Sequence, residues 1–172
     1  MASLRKELQN ITREANTAAH ASAIDALQRR IPHCIEVVKD LADDLRYNCV
    51  MHALGVAKDE ELIALVWRCP RDVHPSTQFL KFLKDRGTLV AVKSAAPGVI
   101  VVYSNSRAIR HAGRVIADSE IESKWGIGHL YRHALMEIPS SYGSKVEFFA
   151  QLDRESVIKE FVTFAKAQGA RL

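Results

Sequence analysis

Helical periodicity dominates this chain as far as Gly87 and then gives way to strand-like segments until a closing helix. In residues 3–30, Leu4, Leu8, Ile11, Ala15, Ala18 and Ala19 recur at spacings of three and four, and Ile24 and Leu27 continue the stripe. One long helix or two short ones are expected there. Pro32 breaks the pattern. Ile35, Val38, Leu41 and Leu45 then form a second stripe backed by Glu36, Lys39, Asp40, Asp43 and Asp44, which predicts a helix of about ten residues. A short apolar helix opens at Cys49 and ends at Gly55. Asp59 is placed to cap a further helix that stops before Cys69-Pro70, and Ser76 to cap one carrying Phe79, Leu80, Phe82 and Leu83.

From Thr88 the residue types change. Segments 89–92, 98–103 and 109–116 are short and β-branched, separated by turn-forming residues, and read as antiparallel strands. Segments 135–138 and 146–152 are further strand candidates, the latter equally compatible with helix. Asp153 can cap a closing helix that ends at Gly169. The class is therefore α+β: N-terminal helices followed by an antiparallel sheet with a Cys-bearing helix packed on it. A chain of 172 residues, 48% of them hydrophobic, suits one domain. Its expected parts are an N-terminal helical extension (1–45), a core (46–152) and the closing helix (153–169).

Lys and Arg (24) are interleaved with Asp and Glu (20) and leave a net charge of +4 with no basic stripe, so nothing points to nucleic acid. The three cysteines lack the spacing of a disulfide framework or a zinc site, and reduced thiols are the simplest reading. The N-terminus has no secretory leader, which predicts a cytoplasmic protein while leaving delivery by a specialised secretion system open. No apolar stretch reaches the roughly 20 residues of a membrane-spanning helix.

Two residues carry the chemistry. Cys49 opens its helix, where unpaired N–H groups can acidify a thiol and hold a developing oxyanion. Packing explains a cysteine there about as readily. His111 begins a strand, sharing one face with Gly113 and Val115. If the returning strand places Ile121, Ser123 and Trp125 on that face, Arg114, Glu120, Glu122 and Lys124 fall on the other, able to pair in solvent. Ser123 then becomes the group that orients the imidazole, although serine is a weaker partner than Asn or Asp. His52, three residues after Cys49, is an alternative base or a packing histidine. His129 and His133 lie four apart, which on a helix would suit zinc, but no Glu follows His129 and no metal is expected. Cys34 and Cys69 read as structural or incidental. Gly126 and Gly128 let the backbone turn or a substrate approach. Tyr142 either packs over the hairpin or lines a cleft.

Taken together, a Cys opening a helix, Pro97-Gly98 before an apolar strand that ends in Tyr103, and His111-Ala112-Gly113 opening the next strand resemble the papain-like superfamily. The nearest branches are the bacterial NlpC-type and CHAP-type ones. Asn48-Cys49, Ala53-Leu54-Gly55, Ser123-Lys124-Trp125-Gly126, His133 and Tyr142-Gly143 are also similar to a group of uncharacterised bacterial proteins of that superfamily. Val50 and Val99 depart from its usual pattern. The resemblance implies a Cys-bearing helix on an antiparallel sheet, with Cys49 as nucleophile, His111 as general base and Ser123 as third residue. His133 is the runner-up, and His129, Lys124, Trp125 and Tyr142 are further residues lining the site. It implies a thiol hydrolase acting on an amide or isopeptide bond, with a peptide-like or acyl substrate and no cofactor. Two alternatives stand beside it: an inactive papain-like binding protein that docks a partner through the N-terminal helices, and a Cys/His acyltransferase.

Overall fold

The computed structural model describes residues 2–38, 47–126 and 128–172. The first apolar stripe forms two helices, α1 (Ala2–Arg13) and α2 (Ala18–Gln28), which bury Leu4 and Leu8 and then His20, Ile24 and Leu27. The second stripe behaves differently. Glu36–Val38 is strand β1, an edge strand paired antiparallel with residues 130–132, where a helix was expected. Residues 39–46, the rest of that expected helix, lie outside the described residues. Two β-branched valines that find a partner strand follow the partner and not the local period.

Local signals serve the next helices well. Helix α3 (Cys49–Ala53) is capped by Asn48, α4 (Glu60–Trp67) by Asp59, α5 (Thr77–Asp85) by Ser76, and α6 (Arg154–Ala167) by Asp153. In each case the cap side chain accepts from an amide of the first turn. The other strands are β2 (Ala91–Val92), β3 (Ile100–Ser104), β4 (Ile109–Ala117), β5 (Glu120–Lys124), β6 (Leu130–Ala134) and β7 (Lys145–Phe149). Segment 135–138, expected as a strand, instead turns, with the Glu137 N–H donating to the Ala134 carbonyl at 2.9 Å. The strand lies just before it, in β6.

The strands form one antiparallel sheet in the order β1-β6-β5-β4-β3-β7-β2. Helices cover both faces. On one face Ile100, Val102, Ala112 and Phe149 pack against α3, α4, α5 and α6, where Phe79 meets Phe161 and Phe164 at centroid distances of 5.7 and 5.3 Å. On the other, Val101, Tyr103, Val115, Ile121, Trp125 and Tyr131 pack against Leu4, Leu8, Ile24 and Leu27 of α1 and α2. Each fully buried aliphatic side chain here contributes roughly 1.5–3 kcal/mol. The architecture is thus α+β, with an antiparallel sheet between two helical layers. Among the described residues no helix is long and apolar enough to cross a membrane.

Candidate functional site

Register decides what stands beside His111. Arg114 lies opposite Glu122 and Val115 opposite Ile121, with a bulge before Ala117. Gly113 faces Ser123 so closely that a Cβ on it would come within 2.9 Å of the Ser123 Cβ. One row of β4 and β5 therefore carries His111, Gly113, Val115, Ile121 and Ser123, on the α1–α2 side. The reverse row carries Ala112, Arg114, Glu122 and Lys124. That row was expected in solvent, but α3 covers it: Lys124 is 1% exposed, donating to the Gly128 carbonyl at 2.7 Å and lying over the Tyr47 ring at 4.8 Å. Glu122 sits 3.3 Å from His52 of α3 and 3.2 Å from Arg132, and these two partners, His52 first, hold its carboxyl below the usual range.

Cys49 and His111 reach the same end of β4 from opposite layers. The backbone N–H of Ala112, the residue after His111, favours the Cys49 thiolate. The His111 ring, 2% exposed, stacks on Tyr142 with centroids 4.0 Å apart and planes at 16°. Burial, and after it a charge on the Cys49 thiol, push the Tyr142 hydroxyl up. His111 and Tyr142 thus form a ring pair on the α1–α2 side of the sheet, while Cys49 packs on the α3 side, beside Ala112.

The electrostatics on both sides favour neutral groups. Burial pushes the Cys49 thiol up, outweighing the amides of Ala112, Val50 and Cys49 that favour thiolate. Burial also pulls His111 well below its ordinary value, with His133 and His52 adding like-charge repulsion. The expected acidified thiol is therefore corrected, for two physical reasons. Helix α3 has only five residues, and its Val50 and Met51 amides already donate to the Asn48 side-chain oxygen at 2.9 and 3.0 Å. Of the first three amides, the cap leaves only that of Cys49 for a substrate oxygen.

Ser123 is wholly buried, but its hydroxyl does not bond His111. The His133 Nδ1–H donates to the Ala134 carbonyl at 2.8 Å, so Nε2 accepts from the Ser123 hydroxyl, also at 2.8 Å. The Trp125 indole N–H donates to the same oxygen at 2.9 Å. Burial takes His133 down to about 4. His111 Nε2 is buried with no hydrogen-bond partner among the described residues. Trp125 stacks on Tyr131 at 4.2 Å. His129 and His133 lie beside and on strand β6, not on a helix, and His129 is tied through Nε2 to the Thr17 carbonyl at 2.9 Å. No cluster of three metal-ligating side chains occurs among the described residues. Asn48, an N-cap signal directly before Cys49, and the Ala112 amide complete the site. Arg5 and Gln9 of α1, which bond the segment carrying Tyr142, had no signal in the sequence.

The sequence profile of a domain of unknown function, DUF7689, matches residues 40–150. No curated protein and no solved structure matches the chain.

Proposed function

The chain belongs to the DUF7689 family, which brings a boundary and no activity, and we propose from the site itself a papain-like thiol hydrolase acting on an amide or isopeptide bond. The observation that carries this reading is the packing of the Cys-bearing helix α3 on β4, where the Ala112 N–H favours the Cys49 thiolate and the preceding residue is a buried, neutral His111. At rest the proton stays on sulfur. As a substrate carbonyl arrives, sulfur attacks its carbon, the thiol proton passes to the imidazole, and the carbonyl oxygen takes up the negative charge. The Cys49 N–H supports that oxyanion. The imidazolium returns its proton to the leaving amine, a thioester remains on Cys49, and water activated by His111 releases the acid. Ser123, His133 and Trp125 back the ring as a buried polar wall. Substrates are peptide-like or acyl compounds, and no cofactor enters the scheme.

One observation favours a second reading, an inactive scaffold that binds a partner: no described group hydrogen-bonds the buried Nε2 of His111. The N-terminal helices bury their apolar stripes against their own sheet, so such a partner would meet their polar outer faces.

Iodoacetamide labelling separates the two. In the hydrolase, His111→Ala slows Cys49 alkylation at neutral pH by about 10²-fold, the lower end for a general base. An acyl substrate also leaves a hydroxylamine-sensitive adduct on Cys49. Equal labelling rates with and without His111 would sink the hydrolase and leave the binding protein.

A further inference from the structure

The His111 ring is held by stacking. Tyr142 covers one side at 4.0 Å, Tyr103 stands 5.8 Å away at 31°, and the buried Nε2 has no described partner. His52 of α3 and His133 of β6 act on the ring only through charge. An imidazole is free over a broad range about its last side-chain torsion unless something fixes its plane.

Tyr142 is itself firmly seated. It ends a 3-10 turn, Ser140–Tyr142, that follows Pro139. The next residue, Gly143, has φ +99° and lies so close to the Ser104 backbone that no Cβ fits, while the Ser144 N–H donates to the Ser104 carbonyl at 3.0 Å. Helix α1 closes the turn from the other side. Arg5 donates through Nε to the Ile138 carbonyl at 3.2 Å, and through Nη2 to the carbonyls of Pro139, at 3.5 Å, and Gly143. The Ser141 N–H donates to the Gln9 side-chain oxygen at 2.7 Å. One arginine therefore ties both ends of the turn that presents Tyr142.

We infer that Tyr142 is a positioning residue for His111, and that Arg5, on a helix outside the residues matched by the family, sets how firmly it holds. The inference rests on the thiol-hydrolase reading for its consequence. A general base must keep one nitrogen within hydrogen-bond reach of the proton it takes, and a parallel ring against the imidazole face does for His111 what a third polar residue does in a triad.

Imidazole NMR on the full chain tests the coupling directly. Tyr142→Phe should keep the ring-current shift of the His111 signals. Tyr142→Ala should abolish it and move the ring's titration up toward the ordinary histidine value. Arg5→Ala should shift the same signals partway, and the Arg5→Ala/Tyr142→Ala pair should match Tyr142→Ala alone. In alkylation, the factor by which His111→Ala slows Cys49 labelling should shrink about tenfold in Tyr142→Ala and return in Tyr142→Phe. His111 signals unmoved by Tyr142→Ala, or an Arg5→Ala shift of equal size with Tyr142 absent, would overturn the inference. Should Arg5→Ala fail to fold, Arg5→Lys keeps the charge but loses the two-nitrogen reach, and the same comparison applies. Wild-type labelling that ignores His111 would remove the hydrolase reading alone, and the NMR signals would still decide whether Tyr142 positions the ring.

Discussion

His133 donates its Nδ1–H to the Ala134 carbonyl and accepts at Nε2 from Ser123, so a second proton would have to displace the serine hydrogen in a dry site. Burial accordingly places its pKa at about 4, against roughly 6.5 in the unfolded chain. Between those values the unfolded chain binds more protons than the folded one, so stability rises with pH there. Stability should be flat above about pH 6.5 and fall by up to about 3 kcal/mol as pH drops to about 4, with His111 adding loss of the same sign. Urea titrations across that range check it. His133→Gln, whose amide oxygen can accept from Ser123 without titrating, should remove the His133 share of the slope. An unchanged slope would mean that the ring is wetter than its surroundings imply. The sequence could show that Ser123 shares a face with His111, because face parity is local. It could not show which imidazole the hydroxyl serves, because that follows from the tautomer that the Ala134 carbonyl imposes on His133.

Helix α3 depends on Asn48 at both ends of one side chain. The oxygen takes the Val50 and Met51 amides, and Nδ2 donates to the Pro75 carbonyl at 2.7 Å, tying the Cys-bearing helix to the loop before α5. Asn48→Ala should lower stability by about 1–2 kcal/mol in urea titrations. Asn48→Asp should lose less, keeping the cap while giving up the Pro75 bond, and its charge should push the Cys49 thiol further up, slowing alkylation at neutral pH. Faster labelling in Asn48→Asp would show that the cap does not govern the thiol. Caps such as Asp59, Ser76 and Asp153 were legible because a cap is set by residues within one turn. Strand β1 was not, since Ile35 and Val38 fit a helical stripe, and β6, which claims residues 36–38, lies about a hundred residues away. The row of Arg114, Glu122 and Lys124 read as a solvated face for a similar reason: its cover, α3, is distant in sequence.

At the scale of the molecule, one sheet serves two separate apolar cores, and β4 contributes to both through Ala112 on one face and Val115 on the other. Strands shared in this way should make the layers fold together, since neither core can lose its sheet without stripping the other. The family match, which begins at residue 40, leaves out α1 and α2. Those helices nevertheless bury Leu4, Leu8, Ile24 and Leu27 against the sheet and reach the Tyr142 turn through Arg5. The chain has two tryptophans, Trp67 at 77% exposure and Trp125 at 1%. In a Trp67→Phe background, fluorescence therefore reports only the α1–α2 face, while far-UV circular dichroism reports the whole chain. Leu8→Ala should cost about 2–5 kcal/mol, as expected for emptying a fully buried leucine site. Both signals should move to the lower midpoint together, with the urea dependence unchanged. A Trp125 transition that precedes the loss of helix and strand would instead make the N-terminal layer a separate cooperative unit. Arg5 would then sit on an element able to release Tyr142 while the rest of the sheet stays folded.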